Sequence, residues 1–170
     1  MPEYTLVRSS RRTLAIEITR DCRLLVRAPF RCPLSEIERF VSQRRDWIEA
    51  HMAAQRSRLE AYPEPDEAER ARLTALARDV IPEKVRHYSR IMGLYPTAVT
   101  ITGARTRFGS CSGTNRLCFS LRLMQYPDEA VDYVVVHELA HIVHKNHGRE
   151  FYALVQSVLP DWRQRQALLR

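Results

Sequence analysis

The pattern His-Glu-x-x-His at positions 137–141 is the part of the sequence best suited to chemistry. His137 and His141 lie four residues apart in an apolar stretch, which predicts a helix. On an α-helix, such residues differ by about 40° in direction and roughly 6 Å in height, so both imidazoles share a face and can bind one Zn²⁺. Glu138 would then lie near the open position of the metal, where it can take a proton from a water molecule. The pattern is typical of zinc-dependent hydrolases.

The third metal ligand is expected among the residues that follow this helix. If the helix continued, His144 would lie about 10 Å beyond His137 along the axis, too far to share a metal whose ligand nitrogens sit about 2 Å away. His147 can reach the metal if the helix ends before it and the chain turns back at Asn146, which tolerates a left-handed stop. We therefore predict His147 as the third ligand, with Glu150 as the competing acidic candidate.

Composition suits one compact domain, because 45% of the 170 residues are hydrophobic and 28% are charged. The net charge of +7 favours acidic partners such as nucleotides or nucleic acid, although arginines spread over the whole chain are typical of a solvated surface. The four cysteines form no C-x-x-C pair, so neither a zinc knuckle nor a redox motif is predicted. No signal peptide or membrane-spanning apolar run is recognisable, so we expect a cytoplasmic protein with no membrane contact.

The first part of the chain, residues 1–32, is predicted to be β-rich. Residues 13–19 alternate between apolar and polar side chains, which indicates a strand with one buried face. Shorter apolar runs at 4–8 and 24–28 flank it, so we expect a three-stranded β-meander. These strands carry no catalytic pattern and are predicted to be a scaffold.

The second part, residues 33–94, is predicted to contain two long helices packed as an antiparallel pair. Ser35 and Glu38 form a capping-box pattern at the start of the first helix, and Asp66 is the expected cap of the second. Pro82 lacks a backbone donor, so we expect a kink or break in the second helix near it.

The third part, residues 95–170, contains the His-Glu-x-x-His helix and the strands that precede it. Apolar runs at 98–102 and 117–121 predict a small sheet beside the site. A strand in this position can pair with an extended peptide substrate. Arg105 and Arg107, between these strands, are candidate substrate contacts.

Three segments resemble a known family, the YgjP-like metallopeptidase domain proteins. They are Arg-Phe-Gly-Ser-Cys-Ser at 107–112, the stretch 132–141 around the motif, and Asn-His-Gly-Arg-Glu-Phe at 146–151. Phe108 stands where family members more often have tryptophan. The resemblance covers nearly the whole chain and extends distantly to the SprT and WLM peptidases. It implies a zinc-dependent hydrolase with Glu138 as the base and with the metal ligands His137, His141 and His147.

Together these patterns and the resemblance predict an α+β fold. A small N-terminal β-meander and an antiparallel helix pair would precede a minimal zincin-like core, in which a small sheet is followed by the His-Glu-x-x-His helix and C-terminal helices. We expect one domain over residues 1–170, divided into the three parts 1–32, 33–94 and 95–170.

The predicted function is that of a cytoplasmic zinc-dependent metallopeptidase acting on peptides or proteins. One alternative is a metal-dependent nucleotide phosphohydrolase or pyrophosphohydrolase, for which Arg105 and Arg107 would contact phosphate. Against it, the sequence contains no P-loop and no acidic cluster for Mg²⁺. A nucleic-acid-associated protease is a further alternative, suggested by the positive net charge.

Overall fold

The computed structural model describes residues 2–19 and 21–169. Contacts within the chain divide it into two compact units, Met1–Glu64 and Pro65–Arg170. Each unit combines a three-stranded sheet with α-helices, which confirms the predicted mixture of α and β structure. The boundary between the units falls inside the predicted helical part 33–94, so the two helices of the expected pair belong to different units. Their packing against each other, and the single domain over 1–170 with its three parts, stay predictions.

The sheet of the first unit is not the predicted meander. Its strands are β1 (Thr5–Ser9), β2 (Ala15–Ile18) and β3 (Leu24–Pro29), in the order β1-β3-β2. β3 pairs in parallel with β1 and antiparallel with β2. The physical reason is burial: three of the six residues of β3 are buried, whereas β1 and β2 are at most half-buried, so the most apolar strand takes the centre.

Two helices, and not one, follow this sheet: α1 (Leu34–Ser42) and α2 (Arg45–Ala61). The predicted capping box is wrong, because Pro33 is the residue that caps α1 and its first turn has no side-chain cap. The break at residues 43–44 contains neither glycine nor proline, so the spacing of the apolar residues did not indicate it. Apolar side chains of both helices and of β3 form the core of this unit: Leu24, Val26, Ala28, Ile37, Val41 and Ile48.

The second unit begins with the long helix α3 (Glu67–Met92). As predicted, Asp66 caps it, because its side chain accepts a hydrogen bond from the Glu69 backbone N–H at 2.8 Å. The helix ends at Gly93, whose φ of 66° is a left-handed conformation that glycine adopts without strain.

No break occurs at Pro82, which lies inside α3. The neighbouring side chains of Ile81 and Val85 are 0% and 4% exposed, so packing holds the helix together on both sides of the proline. Tertiary burial thus outweighs the loss of one backbone hydrogen bond at this position.

A second three-stranded sheet follows α3 and borders the candidate site. It contains β4 (Ala98–Thr102), β5 (Gly109–Cys111) and β6 (Arg116–Ser120), in the order β4-β6-β5. β6 pairs in parallel with β4 and antiparallel with β5. Among the described strands, β5 therefore forms one edge of this sheet.

The candidate motif lies at the end of α4 (Asp128–Ala140), the most buried helix of the second unit. Four valines, at positions 131, 134, 135 and 136, are 5% exposed or less, so burial on several sides stabilises a sequence of modest helix propensity. The helix packs against α3, β5, α5 (Arg149–Val158) and α6 (Trp162–Ala167). Within the described residues, no helix is long and apolar enough to cross a membrane.

Asp132 ties α4 to the helices on both sides. One of its carboxylate oxygens lies 2.6 Å from Lys84 Nζ on α3, and the other lies 3.2 Å from an Arg165 guanidinium nitrogen on α6. The side chains of Asp132 and Lys84 are each 16% exposed, so water screens this contact only weakly. This network holds the motif helix in place in the second unit.

We expect Asp132→Ala to lower the free energy of unfolding by about 2–4 kcal/mol, because two partly buried cations lose a partner. Urea denaturation measures the change. Glu83→Ala is the matched control: Glu83 pairs with Arg86 on the surface of α3, with side chains 72% and 57% exposed. Its loss should cost below about 0.5 kcal/mol. Equal destabilisation by the two variants would contradict the assigned role of Asp132.

Candidate active site

Three imidazoles meet at the C-terminal end of α4. His137 lies in the last turn of that helix, His141 directly follows the helix, and His147 comes from the segment before α5. The Nε2 atom of His141 lies 3.2 Å from that of His137 and 3.1 Å from that of His147. The third side of the triangle, between His147 and His137, measures 3.0 Å. Three donor atoms therefore converge on one point.

The donor set fits a divalent metal ion. Nitrogen ligands at the usual metal distance of about 2.0–2.1 Å in tetrahedral geometry lie about 3.3 Å apart, close to the observed separations. Nδ1 of His141 lies 2.8 Å from the backbone oxygen of His144, so the neutral ring donates its proton there and keeps a lone pair on Nε2. Burial and the two neighbouring imidazoles lower the pKa of His137 to about 3, so this ring also stays neutral at neutral pH. These three histidines could hold one metal ion.

Two aromatic residues support the histidine triangle. The ring of Phe151, which is 1% exposed, lies 4.9, 4.6 and 4.8 Å from those of His137, His141 and His147, measured between centroids. The hydroxyl of Tyr133 lies 3.3 Å from Nδ1 of His137 and can orient that ring. The contribution of Tyr133 was not predicted, although its position four residues before His137 places it on the same helix face.

The chain reverses after α4 in a different way from the one predicted. The helix ends at Ala140, and the N–H groups of Ile142 and Val143 donate to carbonyls three residues earlier, at 3.0 and 3.2 Å. This tighter turn satisfies the last carbonyls without a left-handed residue. The expected left-handed stop at Asn146 is wrong, because Asn146 has no positive φ. The chain nevertheless turns back early enough to bring His147 to the helix.

The other two candidates for the third ligand lie apart from the triangle. Nδ1 of His144 lies 3.8 Å from a carboxylate oxygen of Glu150, whose side chain is 85% exposed. Neither residue belongs to the group of side chains close enough to share a metal ion with His137 and His141. His144 contributes its backbone oxygen, which accepts from His141, and not its imidazole.

Lys145 fastens the segment that carries His147 to the neighbouring sheet. Its Nζ lies 2.8 Å from the side-chain oxygen of Asn115 and 3.4 Å from the backbone oxygen of Ser112. Both acceptors belong to the turn between β5 and β6. The same amine lies 3.9 Å from the sulfur of Cys111, one of four free cysteines.

Glu138 is one of three buried polar or charged residues in the described chain, and it lies beside the first histidine. It is 6% exposed, and burial raises the pKa of its carboxyl to about 7, while the positive charge of Arg107 opposes that rise. Gly109 of β5 lies directly against this side chain: an ideal Cβ at position 109 would be 2.6 Å from Glu138 Cγ. This contact between strand and glutamate was not predicted from the sequence.

The two predicted substrate arginines are both exposed in the segment between β4 and β5. Arg107 lies two residues before Gly109, which contacts Glu138, and the positive charge of Arg107 lowers the pKa of that carboxyl. Arg105 lies two residues earlier in the same exposed segment.

Comparison with known proteins identifies the family. Two solved structures of metallopeptidase zymogens resemble this one: abylysin from Pyrococcus abyssi (TM-score 0.49, 19% identity, 53% of this chain and 91% of that chain) and jannalysin from Methanocaldococcus jannaschii (TM-score 0.47, 19% identity, 52% and 92%). No curated protein sequence matches the chain. The family model of the YgjP-like metallopeptidase domain matches residues 12–76 and 66–170. The chain therefore belongs to the YgjP-like metallopeptidase domain family, a family of metal-dependent peptidases.

Proposed function

We propose that this protein is a zinc-dependent metallopeptidase in which His137, His141 and His147 hold Zn²⁺ and Glu138 is the general base. The observation that carries the proposal is the approach of the three Nε2 atoms to within 3.2 Å of one another, beside a buried glutamate. Three histidine ligands leave a coordination position free, as catalytic zinc sites do and closed structural sites do not. When bound, Zn²⁺ supplies a Lewis acid that polarises a carbonyl and lowers the pKa of water.

Glu138 moves the proton in this mechanism. Glu138 follows His137 in the sequence, and its burial beside β5 keeps the carboxylate in a water-poor site. Glu138 takes a proton from the attacking water molecule, whose oxygen bonds to the carbon of the scissile peptide group. The C–N bond then breaks, and Glu138 passes the proton to the leaving amine nitrogen.

The edge strand β5 offers a backbone surface for an extended substrate. The residues on either side of it bond to β6: the Phe108 oxygen accepts at 2.8 Å and the Ser112 N–H donates at 2.9 Å. Because bonding direction alternates along an antiparallel pair, Ser110 also faces β6, whereas Gly109 and Cys111 direct their N–H and C=O groups to the other side. A peptide paired with these groups would lie next to Glu138.

A specific observation also favours the second candidate function, hydrolysis of nucleotides. The positive charge of Arg107 close to Glu138 could attract a phosphate group as well as an acidic peptide. The net charge of +7 also favours binding of negatively charged nucleotides. It would likewise attract proteins bound to nucleic acid, because the phosphates of the nucleic acid are negatively charged. The cytoplasm stays the expected compartment for either substrate.

Metal removal and two substrate panels test the proposal. Protein stripped with a chelator should lose peptide hydrolysis, and about one equivalent of Zn²⁺ should restore it. Peptides, a denatured protein and a set of nucleotides are offered to the same reloaded sample, and Glu138→Gln with the same zinc content serves as the control. Hydrolysis of nucleotides but not of peptides would establish the second candidate. Full peptide hydrolysis by the metal-free protein would refute both.

A further inference from the structure

We infer that Gly109 is a positioning residue for the general base: the missing side chain lets β5 lie on Glu138 and hold its carboxylate in one orientation. The inference rests on the proposed role of Glu138 and adds the part of the fold that makes this role possible. It concerns the orientation of the base and not the binding of the metal.

The contact between the strand and the glutamate leaves no room for any side chain at position 109. An ideal Cβ there would lie 2.6 Å from Glu138 Cγ, 2.6 Å from Oε1 and 2.8 Å from Cδ. Carbon atoms that are not bonded to each other pack at about 3.5–4.0 Å, so the alanine methyl group would overlap three atoms of the same side chain. Either the strand or the carboxylate must therefore move if alanine replaces glycine.

The strand is held more firmly than the carboxylate. Gly109 and Cys111 pair with Phe119 and Leu117 of β6, and both of these partners are 0% exposed in the core. Moving β5 would disturb that core, whereas turning the Glu138 side chain requires only rotation about its own bonds. We therefore expect the carboxylate to be displaced, by on the order of 1 Å, which is enough to cost about 100-fold in rate.

The metal ligands should be unaffected by this displacement. The three heavy atoms nearest to an ideal Cβ at position 109 all belong to Glu138, so the closest overlap falls on the base. The added methyl group would also point toward α4 and not along the free edge of β5, so peptide pairing should change little. The expected effect is thus confined to the catalytic step.

Gly113 is a matched control in the turn between β5 and β6. It carries the same chemical change, yet nothing lies within 4 Å of its ideal Cβ and its φ is not positive. Gly113→Ala therefore reports the general effect of adding a methyl group near the sheet without contact with the base.

The first experiment compares these two variants in the zinc-loaded protein. Gly109→Ala should lower kcat of peptide hydrolysis by about 100-fold, with KM and zinc affinity within about threefold of the unmodified protein. Gly113→Ala should keep kcat, KM and zinc affinity within about twofold. A kcat within about threefold for Gly109→Ala would overturn the inference, as would a loss of zinc affinity that matches the loss of activity.

A second experiment places Gly109→Ala in a Glu138→Ala background, which removes the three atoms that lie nearest to the added methyl group. If Gly109→Ala shifts the urea midpoint of the unmodified protein, the shift should disappear in this background. If Gly109→Ala alone does not fold, the double variant should fold with the same urea midpoint as Glu138→Ala. An equal shift in both backgrounds would show that position 109 requires glycine for the stability of the sheet and not for the contact with Glu138.

The outcome for Glu138→Gln separates the inference from the proposed function. If that variant is inactive while Gly109→Ala is fully active, Glu138 keeps its role and the positioning inference fails. If Glu138→Gln is fully active, the proposed function itself fails.

Discussion

Glu138→Gln is expected to lower kcat of peptide hydrolysis by about 10²–10⁴-fold, because an amide cannot accept the proton of the attacking water. The substitution preserves the volume of the side chain, which is 6% exposed, so the fold and the packing against Gly109 should persist. The histidine triangle is untouched, and zinc affinity should stay within about threefold. Steady-state kinetics and competition with a chromophoric chelator measure the two quantities on the same sample.

Glu150→Gln is the matched control for this prediction. It makes the same chemical change at a glutamate whose side chain is 85% exposed and lies outside the triangle. We expect kcat within about twofold of the unmodified protein. A Glu138→Gln variant that retained zinc and hydrolysed peptides at the unmodified rate would refute the assignment of the base.

Removal of the third ligand is expected to have the largest effect on metal binding. His147→Ala should weaken zinc affinity by more than about 100-fold. Removing a residue that only hydrogen-bonds to a metal ligand already weakens metal affinity by about 10–100-fold, and His147 is itself a proposed ligand. The Nε2 atom of His147 lies 3.0 Å from that of His137 and 3.1 Å from that of His141. Its removal leaves only two of the three donor nitrogens. Zinc dissociation constants from chelator competition test this directly.

Two neighbouring substitutions distinguish the candidate ligands. Glu150→Ala and His144→Ala should each change zinc affinity by less than about threefold, because neither side chain reaches the triangle. The interaction of His144 with His141 uses the backbone oxygen, which the alanine variant retains. Strong loss of zinc with Glu150→Ala and little with His147→Ala would assign the third ligand to Glu150 instead.

Sequence reasoning reached much of the candidate site because the relevant patterns are local. The spacing of His137 and His141 on a helix fixes their common face, since side-chain direction repeats every 3.6 residues. Asp66 was predicted as a cap for the same reason: a cap bonds to a backbone N–H three residues away. Such features depend on neighbours in the chain, which the sequence shows directly.

The choice among ligands after the helix required the three-dimensional structure. The sequence predicted His147 as the third ligand, with Glu150 as the competitor, and in the structure the turn after Ala140 brings His147 to the two histidines of the helix. That turn forms without the left-handed residue expected at Asn146, and Phe151 and Lys145 hold the following segment by contacts with distant parts of the second unit.

The sequence by itself determined that a helix presents two histidines and a glutamate, that strands precede it, and that a later residue must complete the donor set. Only the tertiary structure decided the strand order in the first sheet, the break at residues 43–44 and the contact of Gly109 with Glu138. The physical reason is that helical periodicity is carried by each short segment, whereas strand pairing and close approach depend on which distant surfaces compete for burial. In the sequence, Gly109 fits a turn as well as a strand. Its contact with Glu138 follows only from the way the second unit folds.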